Sequence, residues 1–222
     1  MKKRAIVSVA LGFAAALTAG VAMADFSPKF DLTMSDTKVK GNPALDIHLE
    51  FDGDDEEIGN FSMKIPAGFN IASDAKVPND EEIGSGEITI EAGPGCSPGP
   101  EGAIPVTAPA PIPATIYERG VSDEQADAGV KAVWFLDLEP LNRVALQITG
   151  SKKKGWTVAG APSPSNYTCN PLIVDLTINA TSESGVPLVT NAAKAGIYKV
   201  KATISSQDSP SVETFVEKVR LK

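Results

Sequence analysis

Five acidic side chains fall within the six residues DGDDEE at positions 52–57. Carboxylates at that density are the raw material of a calcium site, since the ion gathers about six to eight oxygens from carboxylates and backbone carbonyls. Asp52, Asp54, Asp55 and Glu57 are the candidate ligands, with Glu56 among them. The spacing is not that of an EF-hand. Counting from Asp52, the sixth position is Glu57 rather than glycine and the twelfth is Met63 rather than glutamate. The competing reading is the solvated tip of a hairpin, with Asp52-Gly53 starting the turn. A second acid run, NDEEIG at 79–84, would share one ion with the first if both tips lay at the same end of the fold.

Other residues with chemical potential are few. His48 is the single histidine and alternates with Asp46 and Glu50, so a Ser-His-Asp triad would have to use it. No G-x-S-x-G elbow accompanies it, and the expectation is a solvated surface histidine. Two carboxylates at the right separation suffice for glycoside hydrolysis, but 28 acids nominate no pair. Trp134 lies in the most apolar run and is expected in the core. Trp156 follows GSKKKG, a predicted hairpin turn, and is a candidate for exposure beside Lys152, Lys153 and Lys154. That lysine triplet in an acidic chain is suited to an anionic polymer; the plainer reading is a turn that blocks edge-to-edge aggregation. Asn60, Asn166 and Asn179 begin N-x-S/T sequons, which matter only in a eukaryotic secretory pathway.

The first residues set the compartment. Lys2, Lys3 and Arg4 precede an apolar stretch from Ala5 to about Val21, and Ala22-Met23-Ala24 offers small residues before a cut. This layout predicts a secretory signal peptide over 1–24, removed before Asp25. An uncleaved anchor is the alternative, weakened by Gly12, Gly20 and the many alanines. The leader holds three of the 20 basic residues and none of the 28 acids, so residues 25–222 carry 17 basic against 28 acidic groups, a formal charge of −11. Such a body disfavours nucleic acid and anionic membrane surfaces as partners, and no membrane insertion is expected once the leader is gone. Cys96 and Cys169 are the two cysteines. In an oxidising compartment they are expected to form a disulfide. It would close a loop of about 73 residues, worth roughly 4 kcal/mol in the chain-entropy account.

The elements that must position these groups are read from periodicity. ALDIHLEF alternates Leu45, Ile47, Leu49 and Phe51 with Asp46, His48 and Glu50. NFSMKI, GEITIEA and IYKVKATISS repeat the pattern, which is that of half-buried strands. VKAVWFLDLEPL, RVALQITG and PLIVDLTINA are more continuously apolar and read as central strands. SDEQADAGVKA, opened by a Ser-Asp cap, and TNAAKAG have room for a helical turn or two. Residues 92–120 carry seven prolines and read as a long extended connection pinned by Cys96, with a polyproline ligand for a partner groove as the sharper alternative. The expectation is an all-β chain, an Ig-like antiparallel β-sandwich with one long Pro-rich loop and little helix. It is expected as a single domain over 25–222, the alternative being two small β domains split near 100–120.

Two stretches carry a resemblance. The last third, with AGIYKVKATISSQDSP as its cue, resembles the closing strands of immunoglobulin-like modules in bacterial surface proteins. VKGNPALDIHLEFDGDDEEIGNFSMKIPAGF is similar to the opening of exported actinobacterial-type proteins, in which a GxNPxL segment leads through a strand to a turn. Together the cues touch roughly 80 of the 198 residues after the leader. The resemblance implies a fold and a place at the cell surface, and supplies no catalytic residue. The expected function is a secreted, non-catalytic binding or structural module of the cell exterior, meeting an extracellular protein or an envelope polymer and needing no cofactor. A calcium-stabilised adhesin-type domain and an extracellular polysaccharide hydrolase are the alternatives.

Overall fold

The computed structural model describes residues 26–52, 58–92, 107–138, 142–160, 171–206 and 210–222. The leader, residues 54, 55 and 57 of the acid run, and both Cys96 and Cys169 lie outside the described residues. Within them the chain order is β1 (Lys29–Met34), β2 (Leu45–Glu50), β3 (Ile58–Ile65), β4 (Asn70–Ile71), β5 (Glu82–Ile90), β6 (Ala110–Arg119), α1 (Asp123–Asp127), β7 (Val130–Leu138), β8 (Asn142–Ser151), β9 (Gly155–Gly160), β10 (Pro171–Ile178), β11 (Val189–Thr190), β12 (Gly196–Ser206) and β13 (Val212–Leu221).

The all-β expectation holds, and so does the scarcity of helix. Eleven strands hydrogen-bond into one antiparallel sheet in the order β1-β2-β10-β5-β6-β7-β8-β9-β3-β12-β13, while β4 and β11 form a separate pair. The two ends of the large sheet nearly meet. Phe30 of β1 and Phe215 of β13 have ring centroids 5.9 Å apart, with Phe61 of β3 at 6.4 Å from Phe30. Beyond β1, the Val39 N–H donates to the Lys222 carbonyl at 3.0 Å and the Lys222 N–H to the Thr37 carbonyl at 2.9 Å. Closing a sheet on itself leaves little free edge for unwanted pairing. The strands thus run continuously through hydrogen bonds, where a two-sheet sandwich would break them into two separate ladders.

Alternation supplies the core. The inward positions carry Leu45, Ile47 and Leu49 on β2, Met63 and Ile65 on β3, Ile112, Ala114 and Ile116 on β6, and Val200, Ala202 and Ile204 on β12, all buried. β7 is buried more continuously, with Val133 and Trp134 both enclosed. Trp134 occupies the core position expected of it. β10 lies between β2 and β5, and β3 between β9 and β12, so strands from both halves of the chain share one wall. The close fit of β5 to β10 depends on glycine. A Cβ on Gly84 or Gly86 would run into the carbonyl of Thr177 or Asp175.

Two expectations change. The proline-rich stretch is not a connection along its whole length, because residues 110–119 form β6, a regular strand between β5 and β7. Pro111 and Pro113 are tolerated there because pairing with β7 begins only at Thr115, so the missing N–H groups fall in the half of the strand that β7 does not reach. Trp156 is buried instead of exposed. It takes an inward position on β9, and its indole N–H donates to the Phe69 carbonyl at 3.0 Å. The helix falls where its cap predicted. Ser122 accepts from the Gln125 N–H and Gln125 reaches back to the Ser122 N–H, a complete capping box.

Candidate functional site

The described strand residues that flank the two acid runs lie at opposite ends of β10. β10 pairs with β2 from Ile173↔Glu50 to Ile178↔Leu45, and with β5 from Pro171↔Ile90 to Ile178↔Gly84. Glu50, just ahead of the first run, is therefore opposite Ile173 of β10, and Gly84, the last residue of NDEEIG, is opposite Ile178. About five residues of strand, some 17 Å, separate these two positions. NDEEIG is also occupied structurally. Glu81 is buried and accepts from the Ser184 N–H and, at 2.9 Å, from the Ser184 hydroxyl. Burial alone would raise its carboxyl, but the Ser184 N–H and the Ser182 and Ser184 hydroxyls outweigh that and hold it below the ordinary range. Asp80, at positive φ, pairs with Arg119. Asp52 is the one proposed calcium ligand within the described residues, and among those residues no group of three or more His, Cys, Asp or Glu is arranged to hold a metal ion.

His48 lies on the outer wall, as its alternation predicted. The register aligns Asp31, His48, Asp175 and Glu87 across β1, β2, β10 and β5 in one row. His48 Nδ1 and Asp175 Oδ1 are 2.6 Å apart. Two residues to one side the Thr177 hydroxyl donates to Asp46 at 2.8 Å, and two residues to the other Lys29 pairs with Glu50 at 2.7 Å. With Asp31, Asp175, Glu87 and Asp46 exposed, this wall is predominantly acidic.

The sheet presents the opposite charge elsewhere. Lys64 of β3 pairs with Lys201 of β12, Lys199 with Lys218 of β13, and Ile197 with Arg220. All five cations are exposed. Exposed Glu213 and half-buried Glu217 stand on the other alternation of β13, with Phe215, Val219 and Leu221, so the row that carries the cations holds no carboxylate. Among the described residues none of these cations makes an ion pair. Two large aliphatic side chains stand among them, Ile197 at 57% and Val216 at 48% exposed. The exposed 152–154 lysine turn closes the β8–β9 hairpin at the same end, where the Gly68 N–H just past β3 donates to the Lys152 carbonyl at 2.8 Å.

One residue with altered chemistry was not legible as such. Glu118 takes an inward position on β6 and is 1% exposed, with no hydrogen-bond partner on either carboxyl oxygen. Burial pushes its carboxyl up to about 8, and Asp74 adds to the rise. The Val133 amide and Trp134 indole favour the ionised form slightly, though neither attains hydrogen-bond geometry. The segment over residues 72–81 straps this end of the sheet. Asp80 N–H donates to the Glu118 carbonyl, Glu118 N–H to the Glu81 carbonyl, and Asp74 N–H to the Lys131 carbonyl. A carboxyl that stays protonated near neutrality is what a general acid requires, and this one is enclosed in the core. The signal was the alternation Ala114, Ile116, Glu118, hidden behind the prolines of the same segment. No family model, curated protein or solved structure matches the chain.

Proposed function

We propose that the mature chain, residues 25–222, is a secreted, non-catalytic binding or structural module of the cell exterior, acting through the outer wall of its sheet. The observation that carries this reading is the sorting of exposed charge. Cations gather on β3, β12 and β13, and carboxylates on β1, β2, β10 and β5, over an apolar interior. A charged outside and an apolar inside are the reverse of a membrane-spanning barrel, which supports a body that works in water once its leader is removed. Interleaving of strands from both halves supports one domain over 25–222. The immunoglobulin-like sandwich stays part of the proposal at the level of shape, as a closed sheet flattened until two walls face each other over the core. The Cys96–Cys169 disulfide belongs to the same reading.

The test combines processing and chemistry. Exported protein should begin at Asp25 and should be retained on washed cell envelopes without releasing reducing sugar ends. Release of reducing ends would make it a hydrolase, and retention of the intact leader would make it an anchored protein.

A further inference from the structure

We infer that the outward faces of β3, β12 and β13 form the module's binding surface and that its ligand is a linear polysaccharide bearing carboxylate groups. This rests on the binding-module reading above and names the ligand class. Neighbouring outward residues on a strand are about 7 Å apart and cross-strand partners about 5 Å. Lys64, Lys199, Lys201, Lys218 and Arg220 therefore form a two-dimensional pad of cations, which the 152–154 lysine turn extends at one end. In a body of formal charge −11 after leader removal, unneutralised cations kept on one wall orient an approaching polyanion toward that wall.

Three features narrow the ligand. Four of the five pad cations are lysines, mobile point charges that follow a flexible, repeating polymer rather than fork onto one fixed anion. Ile197 and Val216, with the lysine stems, leave aliphatic area between the charges, and the C–H faces of sugar rings can cover it where a bare phosphate chain cannot. The aromatic residues of these strands, Phe61, Tyr198 and Phe215, take inward positions, so nucleobases have no platform to stack on.

The experiment measures binding of the mature protein to polygalacturonate, with dextran as the neutral polymer, polyphosphate as the sugar-free polyanion and single-stranded DNA as the stacking ligand. Two double variants carry the same change in net charge: Lys201→Glu with Lys218→Glu on the pad, and Lys76→Glu with Lys131→Glu at exposed positions away from it. The pad variant is expected to lose at least tenfold in affinity for polygalacturonate, and the control variant less than threefold. Wild-type affinity should fall about tenfold or more between 50 and 200 mM salt, as counter-ion release requires when three or four charges engage. Acetylation footprinting of the wild type needs no variant to fold, and polygalacturonate should protect Lys199, Lys201 and Lys218 but not Lys76 or Lys131. Equal losses in both variants, or tighter binding of polyphosphate or DNA, would overturn the assignment. So would a concentration-dependent dimer abolished by the pad variant, which would make the wall a self-interface. If polygalacturonate fails but the pad variant is retained on envelopes as well as wild type, the ligand assignment falls and the binding-module reading stands. If neither polymer nor envelope is bound, both fall.

Discussion

Among the described residues, Glu118→Gln isolates a buried group whose charge the fold opposes. A carboxyl moved from 4.5 in the unfolded chain to about 8 in the folded one keeps its proton on folding across that window. The folded state then binds more protons than the unfolded state, so stability falls as pH rises from about 4.5 and levels off above about 8. At ~1.36 kcal/mol per pH unit, the cost grows by up to ~4 kcal/mol between pH 5 and pH 8.5. Screening and local relaxation reduce this to ~2–3 kcal/mol. Glutamine has nearly the same shape and no proton to lose. Its own cost, an amide in a site without partners, is the same at both pH values. The difference in melting temperature between Glu118→Gln and wild type should therefore move in the variant's favour by about 5–10 °C from pH 5 to pH 8.5, at ~2–4 °C per kcal/mol for a chain of this size. Differential scanning fluorimetry across that range is sufficient. Parallel curves for the two proteins, or a difference that moves in wild type's favour as pH rises, would refute the burial argument.

Trp156→Phe removes the indole N–H that serves the Phe69 carbonyl, and should cost ~2–3 kcal/mol in urea unfolding from a lost buried hydrogen bond and lost ring volume. Gly86→Val pushes a branched side chain against the Asp175 carbonyl where β5 meets β10. It should destabilise by more than ~3 kcal/mol, and hydrogen exchange should quicken first along β5 and β10. Melts of the oxidised mature protein in millimolar calcium and in EDTA are expected to superimpose, whereas a gain of ~2.7 kcal/mol, as calcium at about 100 times its Kd would give, would make Asp52, Asp54, Asp55 and Glu57 a metal site.

Period-two alternation was enough to place β2, β3, β5 and β12 and to say which side chains each would bury, because an inward step of two residues is a local property. Ser122 and its capping box were legible for the same reason. What alternation does not carry is the identity of neighbours. Lys64 and Lys201 are both outward in their own strands, yet the pad exists only because β3 pairs with β12, a contact between residues more than a hundred apart in sequence. Continuity of the sheet was hidden likewise, since whether strands form one ladder or two is decided by β10 entering between β2 and β5. β6 was missed because its prolines argue locally against a strand, and the exemption lies in where β7 begins to pair. Trp156 was misplaced because proximity to three lysines outweighed its position on the apolar face of WTVAG. Glu118 shows the converse failure. Its alternation said inward and its charge said outward, and the structure resolves the conflict through a raised proton affinity rather than a partner.

Binding through the cationic wall is tested by co-sedimentation of the mature protein with washed cell envelopes as salt is raised. Retention is expected at 50 mM salt, with progressive release by several hundred millimolar and no retention of the Lys201→Glu, Lys218→Glu variant at any salt. A protein that stays in the supernatant at low salt, or is retained regardless of salt and of the pad lysines, would contradict it.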